Sequence, residues 1–149
     1  MSWITLTEAK VQDRLTADEL DSLKTLSVSS GGAPLADVLS GVIGEVRGYV
    51  GAGGYTLGAG ATIPEELLEA AVSIARYRLI LRLPAEKLLM TPERVADKNA
   101  AVDLLKTLVA RGKFGIVAPT TAATDQAGPA VPSFADKTLY FDKTSQDGT

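Results

Sequence analysis

A mainly α-helical fold is what this sequence predicts: a small bundle of about four or five helices followed by an extended C-terminal arm. Three observations point there. Apolar residues recur at helical spacing through most of the first 118 positions, behind threonines and prolines placed as helix starts. The hydrophobic share is 46% but aromatics are only 5%, so the core must be built from Leu, Val, Ile and Ala, which suits packed helices. From Pro119 onward the composition turns to Ala, Thr, Pro, Gly and Ser with almost no helical period. That shift divides the chain into a helical domain, 1–118, and an arm, 119–149.

Thr5 to Glu8, "TLTE", reads as a capping box, in which the hydroxyl accepts a first-turn N–H and the glutamate reaches back. A short helix through Val11 to Leu15 follows. Thr16 to Glu19, "TADE", repeats the signal before Leu20, Leu23 and Leu26, and "SVSSGG" then reads as a loop. In the third helix Pro34 fits the first position, where a missing N–H is no loss. Leu35, Val38, Leu39, Val42, Ile43, Val46 and Val50 make its apolar stripe. Gly41, Gly44 and Gly48 fall inside the same helix at three- and four-residue steps, each less favourable than alanine there by about 1 kcal/mol. Either another backbone approaches closely, from within the fold or from a neighbouring copy, or the helix is weak.

The stretch "GYVGAGGYTLGAG", 48–60, invites a phosphate-loop reading that its spacing refuses. Gly51 and Gly53 begin a dinucleotide fingerprint, but Thr56 stands at the third glycine and a helix precedes it instead of a strand. At Gly112-Lys113, Thr107 and Phe114 break the P-loop pattern. A flexible corner pinned by Tyr49, Tyr55 and Leu57 is the better account.

Pro64 starts the fourth helix, with Glu65, Glu66 and Glu69 where the macrodipole favours acids. Leu67, Leu68, Ala71, Ile74, Ala75, Leu79 and Leu83 form one apolar face. Val72, Ile80 and Leu81 widen it, marking the central helix. Arg76, Arg78 and Arg82 crowd its C-terminal half, either for the dipole or for an acidic partner surface. Pro84 ends it. The last helix opens on Thr91 as N-cap, Pro92 and Glu93, carries Val95, Ala96, Val102, Leu105, Leu108 and Val109, and closes at Gly112. Asp97, Asn99 and Asp103 lack the spacing and glycine of a calcium loop. In the arm, Thr138–Phe141 is the one short strand candidate. Phe134, Leu139, Tyr140 and Phe141 are candidate anchors on another subunit.

The chain has no cysteine and no histidine, which removes disulfides, thiolate metal sites and the commonest general base. No nucleophile–base pair stands out, and the glutamates at the fourth helix start belong there for structural reasons. No enzyme, metal or cofactor is expected. No run of about 18 apolar residues marks a membrane span, and "MSWITLTEAK" does not read as a secretory leader. The net charge of −3 conceals opposite ends: residues 1–69 carry −6, residues 70–118 carry +5 and the rest −2. Such halves can attract copies head to tail, or they are only differently charged solvated faces. A nucleic-acid binder would show a denser basic face with stacking aromatics.

The order of elements resembles a known family. "WITLTEAKVQDRL", a helix ending in "GEVRGYVGAGGYTLG", "IPEELLEAAVSIARYRL" and "ERVADKNAAVDLLKTLVARGKFGI" together look like the small head–tail adaptor (connector, head-completion) proteins of tailed bacteriophages related to phage Mu. The likeness covers roughly residues 3–117. Tyr49-Val50 and Tyr55 match, whereas Gly54 stands where the family commonly has arginine and Gly58 where it commonly has proline. The resemblance implies a structural virion protein at the neck, assembled in the host cytoplasm. It implies a homo-oligomeric ring of about twelve copies beneath the portal protein, with a tail or stopper protein docking below. Double-stranded DNA would pass through its channel without sequence-specific binding. No catalytic residues carry over. Gly41, Gly44, Gly48, Tyr55, Arg76, Arg78, Arg82, Phe134, Leu139, Tyr140 and Phe141 are then the expected interface residues. Two further roles remain open: another neck or tail-completion protein, and a small bacterial helical interaction module.

Overall fold

The computed structural model describes residues 2–83 and 86–120. In chain order it holds β1 (Trp3–Thr5), α1 (Glu8–Gln12), α2 (Ala17–Ser30), α3 (Pro34–Ala52), β2 (Thr62–Pro64), a 3-10 turn (Glu65–Leu67), α4 (Leu68–Ile80), α5 (Glu86–Leu89) and α6 (Pro92–Leu104), which runs on into a π turn (Leu105–Val109). The mainly helical class is the expected one.

The core follows from apolar periodicity. From α3, Leu35, Val38, Leu39, Val42, Val46 and Val50 are buried. They meet Ala71, Val72, Ile74, Ala75, Leu79 and Ile80 of α4, which packs against both α3 and α6 and so is the central helix. Ala101, Leu105 and Val109 close the far side, and Leu6, Val11, Ile63 and Leu67 fill the end near the strands.

Several boundaries differ from those the sequence predicts, each for a local reason. Thr5 is not a cap. It lies in β1, which pairs antiparallel with β2 in the register Trp3↔Pro64, Ile4↔Ile63, Thr5↔Thr62. The cap of α1 is Thr7, whose hydroxyl accepts from the Lys10 N–H. That helix ends at Gln12, and Asp13 to Leu15 form a turn. Thr16 and Glu19 do form the predicted capping box. Yet α2 absorbs Ser27–Ser30, whose neighbours Ser27 and Ser29 return their hydroxyls to the Leu23 and Leu26 carbonyls. It stops at Gly31, in the left-handed region at φ 62°. Pro64 closes β2 instead of opening a helix, so regular α-helix begins only at Leu68. Neither strand is legible in residues that also read as a helix start. The strand candidate at Thr138–Phe141 lies outside the described residues.

The glycine-rich corner is a backbone contact. A Cβ on Gly53 would sit 2.1 Å from the Val109 carbonyl oxygen, and one on Gly112 2.8 Å from the Gly53 carbonyl oxygen. The corner therefore lies directly on the end of the last helical segment. Tyr55 pins it as expected: its hydroxyl donates to the Phe114 carbonyl at 2.5 Å and accepts the Phe114 N–H at 2.9 Å. The Trp3 indole N–H donates to the Val117 carbonyl at 2.9 Å. Its ring fills the space above Gly58, where a Cβ would approach it to 2.6 Å. Residues 113–117 thus strap the corner and β1 together.

These contacts separate two kinds of glycine. Gly48→Ala places a methyl in open space on an α-helix and should raise stability by about 0.5–1 kcal/mol. Gly53→Ala must displace backbone and should lower it by about 1–3 kcal/mol. Urea-unfolding midpoints of the two variants against the parent check both signs.

Candidate assembly surface

Glu19 is the buried charged residue of the described core, with zero exposure. Its carboxylate accepts the Thr16 N–H at 2.7 Å, completing the cap of α2. It also accepts a forked pair from Arg76 of α4, Nε at 3.1 Å and Nη2 at 3.0 Å. Arg94 of α6 approaches its second oxygen at 2.9 Å. One carboxylate thereby joins three helices, and its lone pairs are filled by charge-assisted bonds. Sequence inspection finds Glu19 only as a cap. No local pattern announces Arg76, 57 positions away.

The arginines expected at an interface divide. Arg76 is committed to Glu19, and Arg78 pairs with Glu45 of α3. The dipole explanation is therefore incomplete, since two of the three arginines have carboxylate partners on other helices. Arg82 lies at the surface beside Asp37 and Gly41. Glu45 and Arg47 are not simply surface residues either. The Arg47 guanidinium donates to the Thr62 carbonyl at 2.6 Å and the Gly58 carbonyl at 3.0 Å, fixing the loop before β2. Three ion pairs run between the acidic first part of the chain and the basic second part, Glu19–Arg76, Glu19–Arg94 and Glu45–Arg78. Much of the charge asymmetry is thus satisfied within one molecule.

Gly41, Gly44 and Gly48 are exposed on the outer face of α3. A Cβ at Gly44 or Gly48 would meet nothing within 4 Å, and one at Gly41 only the Arg78 Nη1 at 3.8 Å. Among the described residues no backbone of the same chain packs on them, so no within-fold contact there accounts for these glycines. Tyr55 spends its hydroxyl on Phe114 and is half-buried. Phe134, Leu139, Tyr140 and Phe141 lie outside the described residues.

Beside the glycines runs a groove of about 570 Å³. Ala36, Leu39, Ser40, Ile43 and Gly44 of α3 form one wall, and Leu6 lies at the base of the other. Glu8 and Arg47 sit on its rim with opposite charges. On the far side of the molecule, Arg14, Glu69, Arg76, Tyr77, Arg94 and Asp97 line a smaller cavity of about 200 Å³.

The three glutamates at the start of α4 do not converge. Glu65 accepts from Ser2, and Glu69 forms a two-pronged pair with Arg14 at 2.5 and 2.6 Å. The hydrogen bonds from Arg14 hold the Glu69 carboxyl below its usual range. A Glu66 carboxylate oxygen is enclosed with no hydrogen-bond partner among the described residues. At the start of α6, Glu93 is also held low, by its own backbone N–H and then by Thr91. Among the described residues no group of three or more acidic side chains is placed to hold a metal ion, and no single helix is long and apolar enough to cross a membrane.

The molecule is thus a small helical protein in which several charged side chains tie helices together, and whose outer α3 face carries three exposed glycines beside an apolar groove. Residues 6–133 match the family model described as Bacteriophage Mu, Gp36, and the chain belongs to this family. It is a Mu-like phage protein, and membership points to a structural or morphogenetic role in a virion-associated protein built in the host cytoplasm. No curated protein and no solved structure matches the chain.

Removing the shared carboxylate should strand two partly buried guanidinium groups. Glu19→Ala is expected to lower stability by about 3–5 kcal/mol. Asp18→Ala, at the exposed neighbouring position, should stay within about 0.5 kcal/mol of the parent. Chemical unfolding followed by circular dichroism distinguishes them.

Proposed function

We propose that this protein is a head–tail connector subunit of a Mu-like phage. It forms a ring beneath the portal, extends the DNA channel and receives the tail or stopper protein. The role is structural and not catalytic. The observation that carries the reading is the outer face of α3. Three glycines there weaken the helix by about 1 kcal/mol each relative to alanine, and no contact among the described residues returns that loss. Close approach by another subunit does return it, because absent side chains let backbones meet.

Family membership supplies the phage setting. Ion pairs tie α2, α4 and α6, and α3 and α4, to one another, and Arg82 with Asp37 leaves charges of both signs at one edge. Such paired charges fix register between copies more than they add affinity. DNA would pass through the channel without sequence readout, consistent with the absence of a dense basic face with stacking aromatics in the sequence.

Quantitative mass spectrometry of purified particles, against portal and major capsid protein, is the direct test. A ratio near one copy per portal subunit is expected, and absence from particles would sink the proposal. Deleting residues 119–149 should leave the helical domain folded, since the Tyr55–Phe114 and Trp3–Val117 bonds are retained, but abolish stable assembly. Normal assembly of the truncated protein would reject the role given to the arm.

A further inference from the structure

The groove on α3 is an apolar surface with no covering segment among the described residues, and the chain itself carries a suitable cover. We infer that this groove is the seat of the chain's own C-terminal residues 134–141. The inference goes beyond the connector role and does not depend on it.

The first argument is where the described chain leads. Val117 is held by the Trp3 indole, whose ring lies over Gly58. The Gly58 carbonyl is bound by Arg47, which stands on the groove rim. The strap therefore leaves the domain beside the Arg47 end of the groove. Residues 118–133 can extend up to roughly 50 Å, ample to bring Phe134 back to that groove or to the groove of an adjacent copy.

The second argument is chemical fit. After Pro119 the sequence is largely Ala, Thr, Pro, Gly, Ser and charged residues, and its large apolar side chains gather in "FADKTLYF". Phe134 and the Leu139-Tyr140-Phe141 cluster flank Asp136 and Lys137. The groove presents the converse: apolar Leu6, Ala36, Leu39 and Ile43, with Glu8 and Arg47 of opposite sign on its rim. Ala36, Ser40 and Gly44 follow one another at four-residue steps along the wall and leave width for an aromatic ring. An extended segment laid there buries alternate side chains, in the manner of peptides bound along a surface groove.

The test uses the full chain with Tyr140 replaced by the photo-reactive amino acid benzoylphenylalanine. After irradiation the crosslinked peptides are mapped by mass spectrometry. Crosslinks to residues 6–8, 36–47 or 60–61 are expected, and crosslinks confined to other segments, or none, would overturn the inference. Gly44→Arg, which fills the groove from open space, should reduce the crosslink at least tenfold while the protein stays folded by circular dichroism. Ala36→Arg replaces it should that variant fail to fold. An undiminished crosslink in the folded variant also overturns the inference. A one-to-one mixture of isotopically heavy and light protein shows whether the seat is in the same copy or an adjacent one, and either pattern supports it. Because the crosslink is read on purified protein and the connector role on particles, one can fail while the other stands.

Discussion

The bundle depends on one buried carboxylate. Helix α2 buries Leu23 and Glu19 and packs Leu20 and Leu26 partly against the core, so its apolar contribution is small. Glu19 supplies the missing link. It caps its own helix and, with the same two oxygens, engages Arg76 on α4 and Arg94 on α6. A buried ion pair gains little against an apolar substitute, but once present it cannot lose a partner cheaply. Its value here is geometric. The guanidinium fork of Arg76 donates to the carboxylate in one orientation, which fixes where α2 starts.

A second fixed point lies at the C-terminal end of α3, and it is made of backbone. The corner at Gly53 rests on the carbonyl of Val109 and the chain at Gly112, so the end of α3 and the end of the last helix meet without intervening side chains. Tyr55 and Trp3 then bind the departing strap through its Phe114 and Val117 backbone groups. Arg47 uses the same logic on the loop before β2, satisfying the carbonyls of Gly58 and Thr62 that would otherwise lack partners. The backbone contact at Gly53 holds the C-terminal end of α3. Its inner stripe of Val42, Val46 and Val50 is fully enclosed, while its outer face stays bare.

How much of this was legible in the sequence follows from the range of each interaction. The stripes of α3 and α4, the capping box at Thr16–Glu19 and the entry at Pro34 depend on residues within a few positions of one another, and they read correctly except at Leu81, which lies past the end of α4 and is exposed. The strands did not, because Trp3–Thr5 and Thr62–Pro64 are each only three residues long and are strands only by pairing with one another. The serine run after Leu26 looked like a loop because serine hydroxyls compete for backbone groups. In the fold they return to carbonyls of their own helix instead. The arginines of α4 were visible as a cluster, but their partners Glu19 and Glu45 sit on other helices. For the candidate surface, the glycines were legible as a cost to helix α3. That the cost has no return among the described residues required the three-dimensional neighbourhood.

That unreturned cost connects fold to function. A helix interior with three glycines on one face is an improbable choice for a subunit that works alone, since alanine at Gly44 or Gly48 would meet no obstacle. The inner face of the same helix is packed to zero exposure at Val42, Val46 and Val50, so the sequence is not generally permissive there. Constraint on both faces, one filled and one kept empty, is the signature of a helix that has two neighbours, one inside the molecule and one outside. In a Mu-like phage protein, under the connector role proposed above, a neighbouring copy would supply the outer one with a single repeated contact. A closed ring of the proposed kind would use such a contact at every joint, so the stability forgone per subunit would be offset at each interface.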